Sequence, residues 1–353
     1  MHRADSPGRI KLMGEETDHV LGYSISLAIN LYTVVHAQMH NNVRIYSRSL
    51  REVREFDPKK PQKTGDWSDV VKAVFWALQD EGYEAGGLKA IIGGDLPLGP
   101  SLGAYTSLET AFISLLNAMY GLNMLPVEIP LFAKKAAVEY LGAPVGISEP
   151  VAICLGKRGK ALFLNSDTLH YSYIDFPADA KIILFTAGIE KSISYQSYLE
   201  RKKLLEESLQ ILGKRSSIDV TEGELRNLPS LYRRLLGFAV RENRRVLELR
   251  DALKGEDLEM AGELLTTSHW DFSRNYEAGC DELNFVVKRA IEAGAYGAKA
   301  VDAGFNGHLA ILADVDNVVQ IAESVLTSYI QRFNWEATYH IVEPVDGVSV
   351  KII

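Results

Sequence analysis

Cysteine is the residue this sequence has least of, with two in 353 residues, Cys154 and Cys280. So few thiols exclude a disulfide scaffold and a four-thiolate metal site, and both read as plain buried side chains. Apolar runs are short as well. None reaches the roughly 18 residues of a membrane-spanning helix. The opening Met1-His2-Arg3-Ala4-Asp5 has no apolar signal segment. The expectation is a cytoplasmic protein with no membrane role. Positive charge is outweighed: 38 Lys plus Arg stand against 46 Asp plus Glu, a net of −8. That balance argues against nucleic acid as a partner but leaves room for a local phosphate pocket. Repeats and low-complexity stretches are missing. So are G-x-x-x-x-G-K-[ST], G-x-G-x-x-G and H-E-x-x-H.

What is present is an ordinary core-forming composition, 47% hydrophobic and 24% charged, long enough for two domains. Ser24 to Met39 is rich in Ile, Leu, Tyr, Thr and Val and predicts one or two strands. Phe56 to Asp66 reads as a surface excursion. Lys89 to Ile92 predicts a strand, then a Pro/Gly loop from Leu96 to Gly103, then a helix with Leu108, Phe112, Leu115 and Met119 at helical spacing. Strand, loop, helix N-terminus is a geometry that suits an anion.

Ile182 to Phe185 predicts a buried strand. Helical patterns follow over Tyr195–Leu212, Leu231–Leu253, Leu258–Leu265, Glu282–Ala293 and Val315–Ile330. Strands are expected near Leu309–Leu312, Ala337–Val342 and Val348–Ile352. A β-rich first half and a helix-rich second half predict an α+β protein of two lobes, residues 1–170 and 171–353. The basic pairs Lys202-Lys203, Arg233-Arg234 and Arg244-Arg245 read as solvated helix faces.

Five blocks carry a resemblance. Ser6-Pro7-Gly8-Arg9-Ile10-Lys11-Leu12-Met13-Gly14-Glu15-Glu16-Thr17-Asp18-His19 resembles the galactokinase signature A-P-G-R-[VI]-N-L-I-G-E-H-T-D-Y. Asp95 to Gly99 with Ser107 to Ala111 resembles the family's phosphate-loop block. Val138 to Gly142 with Gly146-Ile147 resembles E-x-E-F-x-G-x-x-C-G-I-M-D-Q. Ser268-His269, Tyr276 and Cys280 to Leu283 match a fourth block, and Gly297 to Gly307 a fifth, glycine-rich one. On these residues the chain is identified as a member of the galactokinase branch of the GHMP small-molecule kinases. The resemblance implies an N-terminal ribosomal-protein-S5-like lobe, a C-terminal ferredoxin-like lobe, and an active site at the cleft they form. It further implies ATP and Mg²⁺ if the protein is active, and a small-molecule sugar as the other substrate.

The departures from the family pattern are specific. In the phosphate loop, Gly99-Pro100-Ser101-Leu102-Gly103-Ala104-Tyr105-Thr106 stands for G-A-G-L-S-S-S-A. Pro100 has no N–H to offer, and Tyr105 replaces a metal-binding serine. Gly99, Ser101, Gly103, Thr106 and Ser107 remain as candidate nucleotide-binding residues, Thr106 and Ser107 as possible helix caps. Ala137 stands where the family has a metal-facing acid, so no metal ligand is assigned. Glu149 replaces the catalytic aspartate and is one methylene longer. Arg9 and Glu149 are the candidate catalytic pair. Glu15, Glu16, Asp18, His19, Gly146 and Tyr198 are the candidate sugar-binding residues. Glu16 replaces a family histidine, and an extra acid there is expected to raise a carboxylate pKa. Asp302, Ala303, Asn306 and His308 thin the glycine-rich block and read as solvated loop residues.

Two functional readings follow. Because loop, metal ligand and acid/base position all differ, the first is a catalytically impaired or non-catalytic galactokinase-like protein that binds a sugar-like ligand or a protein partner. The alternative is an active ATP-dependent kinase acting on galactose, or a related monosaccharide, at C1.

Overall fold

The computed structural model describes every residue except Leu98, Pro100, 190–194 and 303–306. The chain divides into two compact units, each discontinuous in sequence. One comprises Met1–Arg9, Ala28–Arg158 and Val345–Ile353; the other comprises Ile10–Leu27 and Gly159–Pro344. The main change of unit comes at Arg158/Gly159. The expected lobes were continuous, whereas here Ile10–Leu27 sorts with the C-terminal part and the last nine residues with the N-terminal part. Two long strands, β1 (His2–Met13) and β2 (Tyr23–Met39), carry the chain from one unit to the other.

In the first unit, β1 pairs antiparallel with the final strand, Ser349–Ile352, from His2↔Ile352 to Asp5↔Ser349. From Asn30 to Ala37, buried and half-buried residues alternate along β2, the period of a strand with one covered face. A hairpin of β3 (Val43–Ser47) and β4 (Glu52–Phe56) follows, then helix α1 (Asp69–Asp80) and β5 (Leu88–Gly94). β5 lies antiparallel to β2 and parallel to β3. The excursion after Phe56 is irregular, as expected; the α1 carboxylate of Asp69 holds its end by accepting the Thr64 and Gly65 N–H groups. Helices α2 (Ala104–Tyr120), α3 (Ile129–Lys135) and α4 (Ser148–Leu155) complete the unit. Val35, Ile45, Phe75, Leu78, Phe112 and Leu116 are among the residues of its apolar core.

In the second unit, β6 (Lys160–Asn165) pairs with the start of β2 and with β7 (Tyr171–Asp175). A separate four-stranded antiparallel sheet contains β8 (Ala180–Thr186), β9 (Gly297–Ala300), β10 (His308–Asp314) and β11 (Thr338–Val342), in the order β11-β8-β10-β9. Helices α8 (Asp281–Glu292) and α9 (Val318–Phe333) bury Val286, Val287, Ile321, Val325 and Tyr329 against it. Helices α5 (Tyr195–Ile211), α6 (Ser230–Lys254) and α7 (Leu258–Asp271) gather around another cluster, with Leu205, Leu236, Phe238, Phe272 and Tyr276. The α+β class follows from these elements. No helix among the described residues is long and apolar enough to cross a membrane.

Candidate functional site

The candidate residues fall into two groups, one in each unit. In the first unit, the Arg9 guanidinium pairs with Glu149 Oε2, and the Thr106 hydroxyl donates to Glu149 Oε1. Three segments distant in sequence thus hold one carboxylate: β1, the first turn of α2 and the first turn of α4. The Arg9 backbone N–H donates to Leu102 O at 2.9 Å, tying β1 to the loop before α2. Gly103 is the N-cap of α2, with φ +71°. A Cβ there would come within 2.8 Å of Ile153 Cδ1 and 3.3 Å of Arg9 Cγ, so this position requires glycine twice over.

Neither Thr106 nor Ser107 caps the helix. Thr106 turns to Glu149, and Ser107 Oγ donates to Ser6 O at 2.9 Å. The N-cap Gly103 has no side chain to cap α2 and no acidic residue sits in the first turn, an arrangement that suits an anion at the positive end of a 17-residue helix. Ser101 is buried, Gly99 is half-buried and Tyr105 is exposed. Pro100 lies outside the described residues. Gly146 sits in the loop before α4, half-buried, and Ala137 is buried in a π-turn at Ala136–Leu141.

Sequence reasoning passed over Glu109, one turn beyond Thr106 on α2. It is 1% exposed, and neither carboxyl oxygen has a hydrogen-bond partner among the described residues. Burial, with the nearby charge of Glu149, pushes its pKa well above the usual carboxylate range. The available signal was an acid at an apolar position of an otherwise core-facing helix.

In the second unit, the segment from Gly14 to Tyr23 is a tight loop between β1 and β2. Thr17 closes it, its hydroxyl lying 2.8 Å from Gly14 O and 2.6 Å from Tyr23 O. Glu15, Glu16 and Asp18 are all buried on it. Lys11 Nζ donates to Asp18 Oδ1 at 3.1 Å, and Lys299 Nζ lies 3.7 Å from Glu15 Oε2. His19 Nε2 and the Tyr198 hydroxyl are 3.0 Å apart. The Tyr276 hydroxyl donates to Glu16 Oε2 at 3.1 Å.

Glu16 is the acid whose pKa rises, to about 8. Burial is the main cause, with the charges of Glu15 and Asp18 adding to it. At neutral pH it is therefore mostly protonated and able to donate a hydrogen bond. Burial first, and then the charge of Glu16, moves the Tyr198 and Tyr276 hydroxyls well above their ordinary values.

Arg245, Asp302 and His308 are buried, against the solvated positions that their sequence context predicts. Arg245 does not belong to a solvated face: it is buried, with Nε 2.8 Å from Glu242 Oε2 and a second nitrogen 2.8 Å from Asp271 Oδ2. Its neighbour Arg244 is exposed, because adjacent helix residues point about 100° apart. Asp302 and His308 are likewise buried, and His308 Nδ1 lies 3.0 Å from the Thr186 hydroxyl. Ala303, Gly304, Phe305 and Asn306 lie outside the described residues.

Comparison with known proteins adds independent observations. Residues 2–39 match the family model for the galactokinase galactose-binding signature, and residues 69–157 match the GHMP kinase N-terminal domain. The chain is 46% identical over 345 residues to the galactokinase of Pyrococcus furiosus, covering 98% of each. It is 43% identical over 348 residues to that of Thermococcus kodakarensis, covering 99% of each. The structure of Lactococcus lactis galactokinase complexed with galactose superposes with a TM-score of 0.93 at 28% identity, over 99% of this chain and 94% of that one. The Methanococcus jannaschii mevalonate kinase shares the fold, with a TM-score of 0.72 at 16% identity, over 98% of each chain.

Proposed function

This chain belongs to the galactokinase family of GHMP kinases, and from that footing we propose that it transfers the γ-phosphoryl group of ATP to the C1 hydroxyl of galactose or a closely related monosaccharide. The observation that carries the reading is the Glu149 carboxylate, held between the Arg9 guanidinium and the Thr106 hydroxyl beside the uncapped start of α2.

Each group has a role under this reading. Glu15, Asp18, His19 and Tyr198 supply the acceptors and donors that sugar hydroxyls require. Glu149 orients the C1 hydroxyl and accepts its proton as the oxygen–phosphorus bond forms and the bond to the ADP oxygen breaks. Arg9 fixes the carboxylate and balances its charge. The N-terminus of α2, with Gly99, Ser101 and Gly103 before it, suits the phosphates of the nucleotide. A divalent cation bound with the nucleotide would neutralise phosphate charge. The described residues offer it no cluster of three or more His, Cys, Asp or Glu, and position 137 presents only a methyl group. Under this reading the nucleotide's own phosphates, with water, are the main ligands of that cation.

A second reading, sugar binding without transfer, draws on that same Ala137. The full-length likeness to galactokinases favours the active kinase. The experiment is incubation of the purified chain with γ-labelled ATP, Mg²⁺ and galactose, with phosphorus NMR of the product. A sugar 1-phosphate is expected. A thermal shift with galactose but no product at high enzyme concentration selects the second reading.

A further inference from the structure

Two adjacent residues of α6 hold both ends of the Gly14–Tyr23 loop. Glu242 takes the entry. Its Oε1 accepts the N–H groups of Gly14 at 3.1 Å and Glu15 at 3.3 Å, and the Ser268 hydroxyl at 2.9 Å. Asn243 takes the exit. Its Oδ1 accepts the Tyr23 N–H at 2.8 Å, while its Nδ2 donates to Ser217 Oγ at 2.8 Å. Asn243 Oδ1 would also lie 2.4 Å from a Cβ at position 22, so the close approach depends on Gly22. Glu242 is fully buried and Asn243 is 5% exposed.

A buried carboxylate is costly unless paired, and this one is paired on every side. Besides the two backbone donors and Ser268, Arg245 Nε lies 2.8 Å away and Lys299 Nζ 3.7 Å away. Lys299 is equally far from Glu15 Oε2, which links the clamp to a loop carboxylate. Burial alone would raise the Glu242 pKa, but Lys299 and Arg245 hold it below the usual range. The helix interrupts its own apolar stripe for this purpose. Leu235, Leu236, Ala239, Val246 and Leu249 mark the buried face, and Glu242 and Asn243 occupy the same face between them.

We infer that Glu242 and Asn243 are positioning residues that hold the Gly14–Tyr23 loop in its ligand-ready shape and so set its affinity for sugar. The affinity half of this inference rests on the sugar-kinase reading above. A loop carrying three acids with its two ends closed would otherwise sample many shapes, and ordering it would oppose binding.

The test compares Asn243→Ala, Asn243→Asp and Leu249→Ala in the full chain. Leu249 is buried on the same helix and controls for general destabilisation. Two quantities are read: amide hydrogen exchange across residues 14–23, and galactose affinity by calorimetry alongside KM and kcat. Asn243→Ala is expected to speed exchange of that segment and to raise the galactose Kd and KM about tenfold, a typical cost of one buried hydrogen bond, with kcat within about twofold. Asn243→Asp keeps the acceptor for Tyr23 and is expected to restore most of the affinity. Leu249→Ala is expected to lower the melting temperature without either change. Equal exchange and equal Kd in the two alanine variants would overturn the inference. If the parent chain itself fails to bind galactose, the sugar reading and the affinity half fall together, and hydrogen exchange still decides whether the clamp exists.

Discussion

Arg9 and Glu149 stand 140 positions apart in the chain and form a part-buried ion pair. Because Thr106 satisfies the second carboxylate oxygen, Glu149 has little freedom to turn away. Glu149→Gln keeps the size and the hydrogen bond to Thr106 but abolishes the basic oxygen. Turnover is expected to fall by about 100-fold or more, with the galactose KM changed only a few-fold. Steady-state kinetics checks this, and an unchanged kcat would remove Glu149 from the chemistry.

Glu16 makes stability depend on pH. Its pKa is about 8 when folded against an ordinary value of 4.5, burial being the first cause. Between those values the folded chain keeps a proton that the unfolded chain has released. The contribution is therefore complete below pH 4.5 and lost as pH climbs to about 8. The slope from this one group is at most about 1.4 kcal/mol per pH unit. Glu16→Gln still accepts the Tyr276 hydroxyl and never ionises. It is expected to match the parent near pH 5 and exceed it in stability near pH 8, as urea unfolding across that range would record. Parallel profiles for the two proteins would show that Glu16 titrates normally.

Gly103→Ala tests the junction of loop and helix. The substitution meets both a left-handed backbone and the Ile153 side chain. A cost of about 1–3 kcal/mol is expected from strain and displacement. Because Arg9 and Glu149 border the same space, kcat is expected to drop as well. Chemical denaturation and kinetics on one preparation would separate the two effects.

The two thiols are expected to be slow nucleophiles. Burial raises Cys154 far above its ordinary range and Cys280 to about 11. Thiolate is then scarce at pH 8. A thiol reagent should label the native chain slowly and the urea-unfolded chain promptly at both positions. Cys154 is half-buried, and prompt labelling of it in the native chain would contradict the raised pKa of its thiol.

Local chemistry is what the sequence determined unaided. The Ile, Leu, Tyr, Thr and Val enrichment of Ser24 to Met39, the helical spacing from Leu108 to Met119 and the apolar run Ile182 to Phe185 each express a preference that one strand or helix sets by itself. Several elements carried weaker signals. β1, a 12-residue strand, hides behind its Ser-Pro-Gly-Arg motif, and α1 follows an irregular loop whose composition masks its start. The family resemblance supplied Arg9, Glu15, Asp18 and Glu149 as candidates, because the blocks that carry it are short and recognisable.

Tertiary structure decided which of those residues meet and in what state. Thr106 has the composition of a helix cap, yet it serves Glu149 from another helix. Arg244 and Arg245 are chemically identical, yet only Arg245 is buried, because only its direction on α6 faces Glu242 and Asp271. Glu16 has the pKa of an ordinary carboxyl until folding buries it beside the charges of Glu15 and Asp18, and the hydrogen bond from Tyr276, 260 positions away, offsets only part of that rise. The clamp at Glu242 and Asn243 left no motif at all. Its meaning lies in backbone N–H groups more than 200 residues distant, and no local pattern records a partner that only folding brings near.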